Sequence, residues 1–124
     1  MKTDTALDAM QNASKGLLMP SEGEAPFEPF LWNDAGDKLT QDRLLTLAGS
    51  AKGVFVEEMS LDSLFQTVPS EDKAKFQKLA AAIQQQLSGV KVYKVGKEAE
   101  RNVYIVGKTK DGHWAGLKTR VVET

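Results

Sequence analysis

The chain has 124 residues, a single histidine, no cysteine and a formal net charge of −1. That length suits one compact domain burying roughly two-thirds of its unfolded surface. The missing cysteine excludes disulfides, thiolate nucleophiles and cysteine–zinc sites, and the lone histidine excludes a two-histidine metal site.

The opening segment MKTDTALDAMQNASKG carries Asp4 and Asp8 and no apolar run of signal-peptide length. No stretch approaches the ~20 apolar residues of a membrane span, so the expected location is the cytoplasm. Thr3 or Thr5 can cap a first helix running to about Ser14. Its apolar residues Ala6, Leu7, Met10 and Ala13 fall at helical spacing, and Gly16 stops it. In LLMPSEGEAPFEPFLW, Pro20, Pro26 and Pro29 forbid helix and limit strand pairing. Residues 19–26 therefore read as an ordered loop, residues 27–32 as an edge strand, and Asn33-Asp34-Ala35-Gly36 as a turn.

Thr40 opens a short helix around Leu44, Leu45 and Leu47 that Gly49 ends. Residues 54–59 alternate like a strand, and Ser60 can cap a single turn holding Leu61, Leu64 and Phe65. Ser70-Glu71-Asp72 opens the longest helix, whose stripe is Phe76, Leu79, Ala80, Ile83 and Leu87, with Gly89 past its end. Strands over 90–95, 102–108 and 114–123 follow, the last two joined through Lys110-Asp111-Gly112. This order predicts an α+β domain, an α/β/α sandwich. Its mainly antiparallel sheet has four to five strands, helices cover both faces, and one domain spans 1–124.

The charge is uneven. Residues 1–37 hold two cations against seven anions, whereas the remainder holds fourteen cations against ten anions. An acidic first third suits a basic partner surface. Glu22, Glu24 and Glu28 cluster in a loop stiffened by prolines, and stiffness lowers the ordering cost of binding. The basic strands carry Lys91, Lys94, Lys97, Arg101, Lys108, Lys110, Lys118 and Arg120 among Tyr93, Tyr104 and Trp114. Lys91 and Lys94 fall on opposite faces of one strand, and acids interrupt the patch, so the aromatics read as sheet residues and not as a nucleic-acid face.

Catalytic signatures are weak. His113 neighbours a turn, a surface position more than a base. Gly107-Lys108-Thr109 lacks the earlier glycine of a phosphate loop, since Asn102 stands there, and it reads as strand. With no G-x-S-x-G and one histidine, no nucleophile–base pair can be assembled.

Three blocks of residues carry a resemblance. The first is Ala13-Ser14, Gly16-Leu17-Leu18, Ser21-Glu22, Pro26-Phe27-Glu28 and Phe30-Leu31-Trp32. The second is Leu61-Asp62-Ser63 with Phe65, then Ala74 to Leu79. The third is Val92-Tyr93, Val103-Tyr104, Val106-Gly107, Ala115-Gly116 and the terminal Val121-Val122-Glu123-Thr124. In order and spacing they resemble the cyanobacterial nuclease A inhibitor family over most of the chain, although the stretch Gln66 to Asp72 is shorter than that family's acidic, aromatic loop.

The resemblance implies an α/β/α sandwich that plugs a sugar-nonspecific, metal-dependent DNA/RNA endonuclease. An acidic loop residue, here Glu22, would pair with an essential arginine of the nuclease. The last residue, here Thr124, would approach the nuclease's metal through a bound water. The expected partner-binding residues are Glu22, Glu24, Glu123 and Thr124. The chain is expected to need no cofactor or metal of its own, to be no enzyme, to touch neither nucleic acid nor membrane directly, and to be monomeric when free. Two alternatives stay open: an interaction module with a non-nuclease partner, and an enzyme or ligand binder using Glu22, Glu24 and His113.

Overall fold

The structure, a computed structural model, describes residues 2–15, 18–19, 25–32, 44–45, 55–66, 68, 70–96, 100–109 and 112–122. In chain order it forms α1 (Lys2–Ser14), β1 (Leu18–Met19), β2 (Ala25–Pro26), β3 (Glu28–Trp32), β4 (Val56–Met59), α2 (Leu61–Phe65), a 3₁₀ turn (Ser70–Asp72), α3 (Lys73–Gln86), β5 (Ser88–Val95), β6 (Glu100–Lys108) and β7 (Trp114–Val122). Strands β3-β7-β6-β5-β4 make one five-stranded antiparallel sheet, and β1-β2 make a separate antiparallel pair. The expected α+β class with a mainly antiparallel sheet is the one observed.

Strand alternation divides the sheet's two faces. On one face Val92, Val103, Ile105, Ala115, Leu117 and Val121 pack against Met10 of α1, Leu61 and Leu64 of α2, and Phe76, Leu79 and Ile83 of α3. The stripe expected for the long helix is thus the buried one. On the other face Tyr93, Val95, Tyr104 and Val106 pack with Leu44 and Leu45, which are helical and buried. Those two leucines are the described part of the short helix expected after Thr40. Gly16, the turn 33–36, and Lys110 and Asp111 lie outside the described residues.

Several boundaries move for identifiable reasons. Residues 19–26 are not wholly loop: Leu18 pairs with Pro26 and Met19 with Ala25. Proline is tolerated there because the pair is short and at an edge. Pro29 likewise stands in β3, the sheet's edge strand, opposite Leu117. Ser70-Glu71-Asp72 forms the 3₁₀ turn before α3, and Asp72 makes no side-chain capping bond. Ser60 does cap α2, its Oγ accepting from the Ser63 amide at 3.1 Å. Strand β5 begins at Ser88 because Gly89 (φ +61°) belongs to an irregularity in the β5–β6 ladder and not to a helix stop. Gly107 lies opposite it, and a Cβ there would come within 2.8 Å of Leu87 Cβ and 2.9 Å of the Ser88 carbonyl oxygen.

One row crosses the whole second face: Glu58, Tyr93, Tyr104, Lys118 and Glu28 are successive register partners from β4 to β3. Burial, the Glu58 charge and a hydrogen bond to Glu58 push the Tyr93 hydroxyl up to about 12; burial also raises Tyr104. The neutral phenol is therefore the form the fold favours. Its stabilisation is complete below pH 10 and is lost as pH climbs through about 12. Urea unfolding near pH 9 and near pH 11.5 should show Tyr93→Phe sparing the protein roughly 1–2 kcal/mol of alkaline loss. An equal loss in both proteins would show that Tyr93 does not titrate against the fold.

Candidate functional site

The end of the sheet where β3 begins and β7 finishes is built by one antiparallel pairing. Glu28 is the register partner of Lys118, so the chain before Glu28 runs beside the chain after Lys118. Phe27, 7 % exposed, turns onto the helical face, where its ring stands edge-on to Phe65 (6.4 Å) and Phe76 (6.1 Å). That turn separates β2 from the line of β3. Pro26 has no amide hydrogen to donate to β7, but its carbonyl accepts from Thr119 Oγ1 at 3.1 Å. Both β1 and β2 lie against β7. Beside this junction Pro26, Glu28, Asn102, Lys118, Thr119 and Arg120 line a depression of about 180 Å³.

Glu22, Glu24, Glu123 and Thr124 lie outside the described residues. Their described neighbours in sequence are Met19 and Ala25, paired across β1–β2, and Val122, the last residue of β7. Glu28 is exposed on β3 and faces the 180 Å³ depression. The structure thus sets Glu28 apart from Glu22 and Glu24 by element: it belongs to the five-stranded sheet, whereas the other two belong to the link between β1 and β2.

His113 is at the opposite end of β7. It is half-buried, its amide donates to Thr109 Oγ1 at 3.1 Å, and its carbonyl accepts from the Thr109 amide at 2.7 Å. With Gly112 at φ +87°, these bonds close the β6–β7 connection, so the histidine's backbone serves the turn. At ~3.3 Å per residue, the length of β7 puts about 30 Å between His113 and Val122. His113 does not line the depression beside Pro26 and Glu28. Among the described residues, no three His, Asp or Glu side chains stand close enough to hold a metal ion.

The basic strands use their cations within the sheet. Lys91 pairs with Glu58 (3.7 Å) and Arg101 with Glu57 (3.6 Å). Lys108 lies 5.9 Å from the Trp114 ring and Lys118 5.8 Å from Tyr104. Phe30, Trp32 and Tyr104 pack on one another at 4.5–5.9 Å between centroids. The aromatics are accordingly sheet residues, and Lys91 and Lys94 do occupy opposite faces, opposite Val106 and Val103. Among the described residues no helix is long and apolar enough to cross a membrane.

Thr119 carries no motif and stands out in the folded protein alone. It is 3 % exposed and alternates with Leu117 and Val121 on the apolar face of β7. A single hydroxyl in an apolar row was the available signal, because a buried hydroxyl needs a partner.

A search of curated proteins finds no match for this chain. A protein-family model, described as nuclease A inhibitor-like protein, matches residues 4–124. With that match spanning nearly the whole length, and an antiparallel α+β scaffold beneath it, the chain belongs to the nuclease A inhibitor-like family.

Proposed function

We propose that this chain inhibits a sugar-nonspecific, metal-dependent endonuclease by filling its active site with carboxylates. The carrying observation is the β3–β7 pairing, which brings the described roots of two acidic segments to one end of the sheet. Glu22 and Glu24 follow β1, and Glu123 and Thr124 follow β7. Membership of an inhibitor-like family supports the same reading.

The chemistry is that of substrate mimicry. A nuclease of this class must bind a phosphodiester through a cation and a metal ion. Glu22 supplies the planar carboxylate that an arginine binds in two parallel hydrogen bonds, and Thr124 supplies an oxygen that accepts a hydrogen bond from a metal-bound water. Neither presents a phosphorus atom, so the complex forms without turnover. Glu24 and Glu123 add negative charge, which speeds encounter with a basic cleft.

The direct experiment is titration of the purified chain against such a nuclease, alone and as Glu22→Gln. The isosteric amide keeps the shape and loses the charge. Its inhibition should weaken by about 1.5–3 kcal/mol, roughly 10- to 150-fold in the inhibition constant. Inhibition by Glu22→Gln equal to the parent would remove Glu22 from the contact, and no inhibition by the parent would end the proposal.

A further inference from the structure

Two structural facts meet at residue 119. Its hydroxyl is buried and bonded to the carbonyl of Pro26, a residue 93 positions earlier in the chain. Pro26 closes β2 directly after the segment bearing Glu22 and Glu24, and Thr119 lies on β7 shortly before Glu123 and Thr124. The regular β3–β7 ladder stops at Glu28–Lys118, so the bond lies just beyond the last ladder pair. Beyond it the chain turns inward at Phe27, whose ring is held by Phe65 and Phe76. The hairpin β1–β2 is thus rooted from two sides: an aromatic ring in the core, and a side-chain hydrogen bond to the strand that leads to Glu123.

We infer that Thr119 is a positioning residue for inhibition, a latch that sets the Glu22–Glu24 segment relative to the end of β7. The inference rests on the proposed inhibitory reading. Two groups that must enter one active site together bind best when their separation is set before binding, because ordering them on contact costs affinity. Proline at 26 removes the amide with which a ladder would otherwise do this. The Thr119 hydroxyl ties the same residue to β7 through its carbonyl instead. Without the hydroxyl, the Pro26 carbonyl loses this hydrogen bond and the hairpin loses one of these two ties.

The test compares Thr119→Val, Thr119→Ala and Thr119→Ser against a nuclease that the parent chain inhibits. Valine and alanine remove the hydroxyl with opposite changes in packing, so agreement between them separates the bond from the volume. Both should raise the inhibition constant about tenfold, and serine should stay within about threefold of the parent. In a Glu22→Gln background, Thr119→Val should cost less than about twofold more, because the group it positions has already lost its charge. Amide exchange at Leu18, Met19 and Ala25 should quicken in Thr119→Val without the nuclease present.

Parent-like inhibition by both hydroxyl-free variants overturns the latch. So does a Thr119→Val penalty that is unchanged in the Glu22→Gln background, since that is the mark of a general loss of stability. If Glu22→Gln has no effect, Glu22 leaves the contact and the latch falls with it, whereas a parent chain that fails to inhibit ends the inhibitory reading itself.

Discussion

A short glycine–serine extension after Thr124 is expected to abolish inhibition while leaving the melting temperature within about 2 °C of the parent. The reason is positional. Strand β7 lies between β3 and β6 inside the sheet and runs to Val122, so Glu123 and Thr124 follow directly in sequence on an inner strand. In the proposed complex, an extension turns the Thr124 carboxylate into an amide and adds bulk beside the nuclease's metal. Losing a charged contact of this kind costs about 1.5–3 kcal/mol, and the steric clash adds to it, so the inhibition constant should rise at least about a hundredfold. The same extension before α1 is the control, because α1 packs on the helical face against α3. Undiminished inhibition by the C-terminally extended chain would take Thr124 out of the contact and leave the Glu22 side to be judged by its own variant.

The largest effect on the fold is expected from Gly116→Ala. Gly116 is the register partner of both Phe30 and Val106, in the middle of the β3-β7-β6 ladder. A Cβ on it would land on the carbonyl oxygen of Ile105, which is backbone of the neighbouring strand and cannot swing aside. The substitution must therefore part β6 from β7 locally, which costs about 3 kcal/mol or more, a large fraction of a small domain's stability. Gly89→Ala is the comparison. Gly89 has a positive φ of 61° but nothing within 4 Å of an added Cβ, so only backbone strain is paid, about 1 kcal/mol. Urea midpoints of the two variants separate the cases. Equal and small losses would mean the β6–β7 backbones do not approach closely at Gly116.

Much of the local structure was legible because it is written in short-range chemistry. Helical spacing from Phe76 to Ile83 marked the face of α3 that is buried. Ser60 marked the cap of α2, and Gly112 the turn between β6 and β7. Where the reading slipped, backbone geometry had won over composition. Gly89 looked like a helix stop but serves a strand irregularity. Pro26 looked like loop but is the register partner of Leu18, in a two-residue pair short enough to admit proline. The candidate site was legible only as residue types and their order, with the resemblance to a known family supplying their roles.

Local pattern alone was enough for the long helix, the three last strands and the side chains of their apolar faces, and for the acidic residues Glu22, Glu24 and Glu123. It also determined the family, through the spacing of its blocks. The pairing of β3, from the first third of the chain, with β7, from the last, became visible in the folded arrangement alone. Alternation specifies the face a residue takes and says nothing about which strand lies beside it. That choice depends on packing between residues some ninety positions apart, as in the Thr119–Pro26 bond, and no local pattern encodes it.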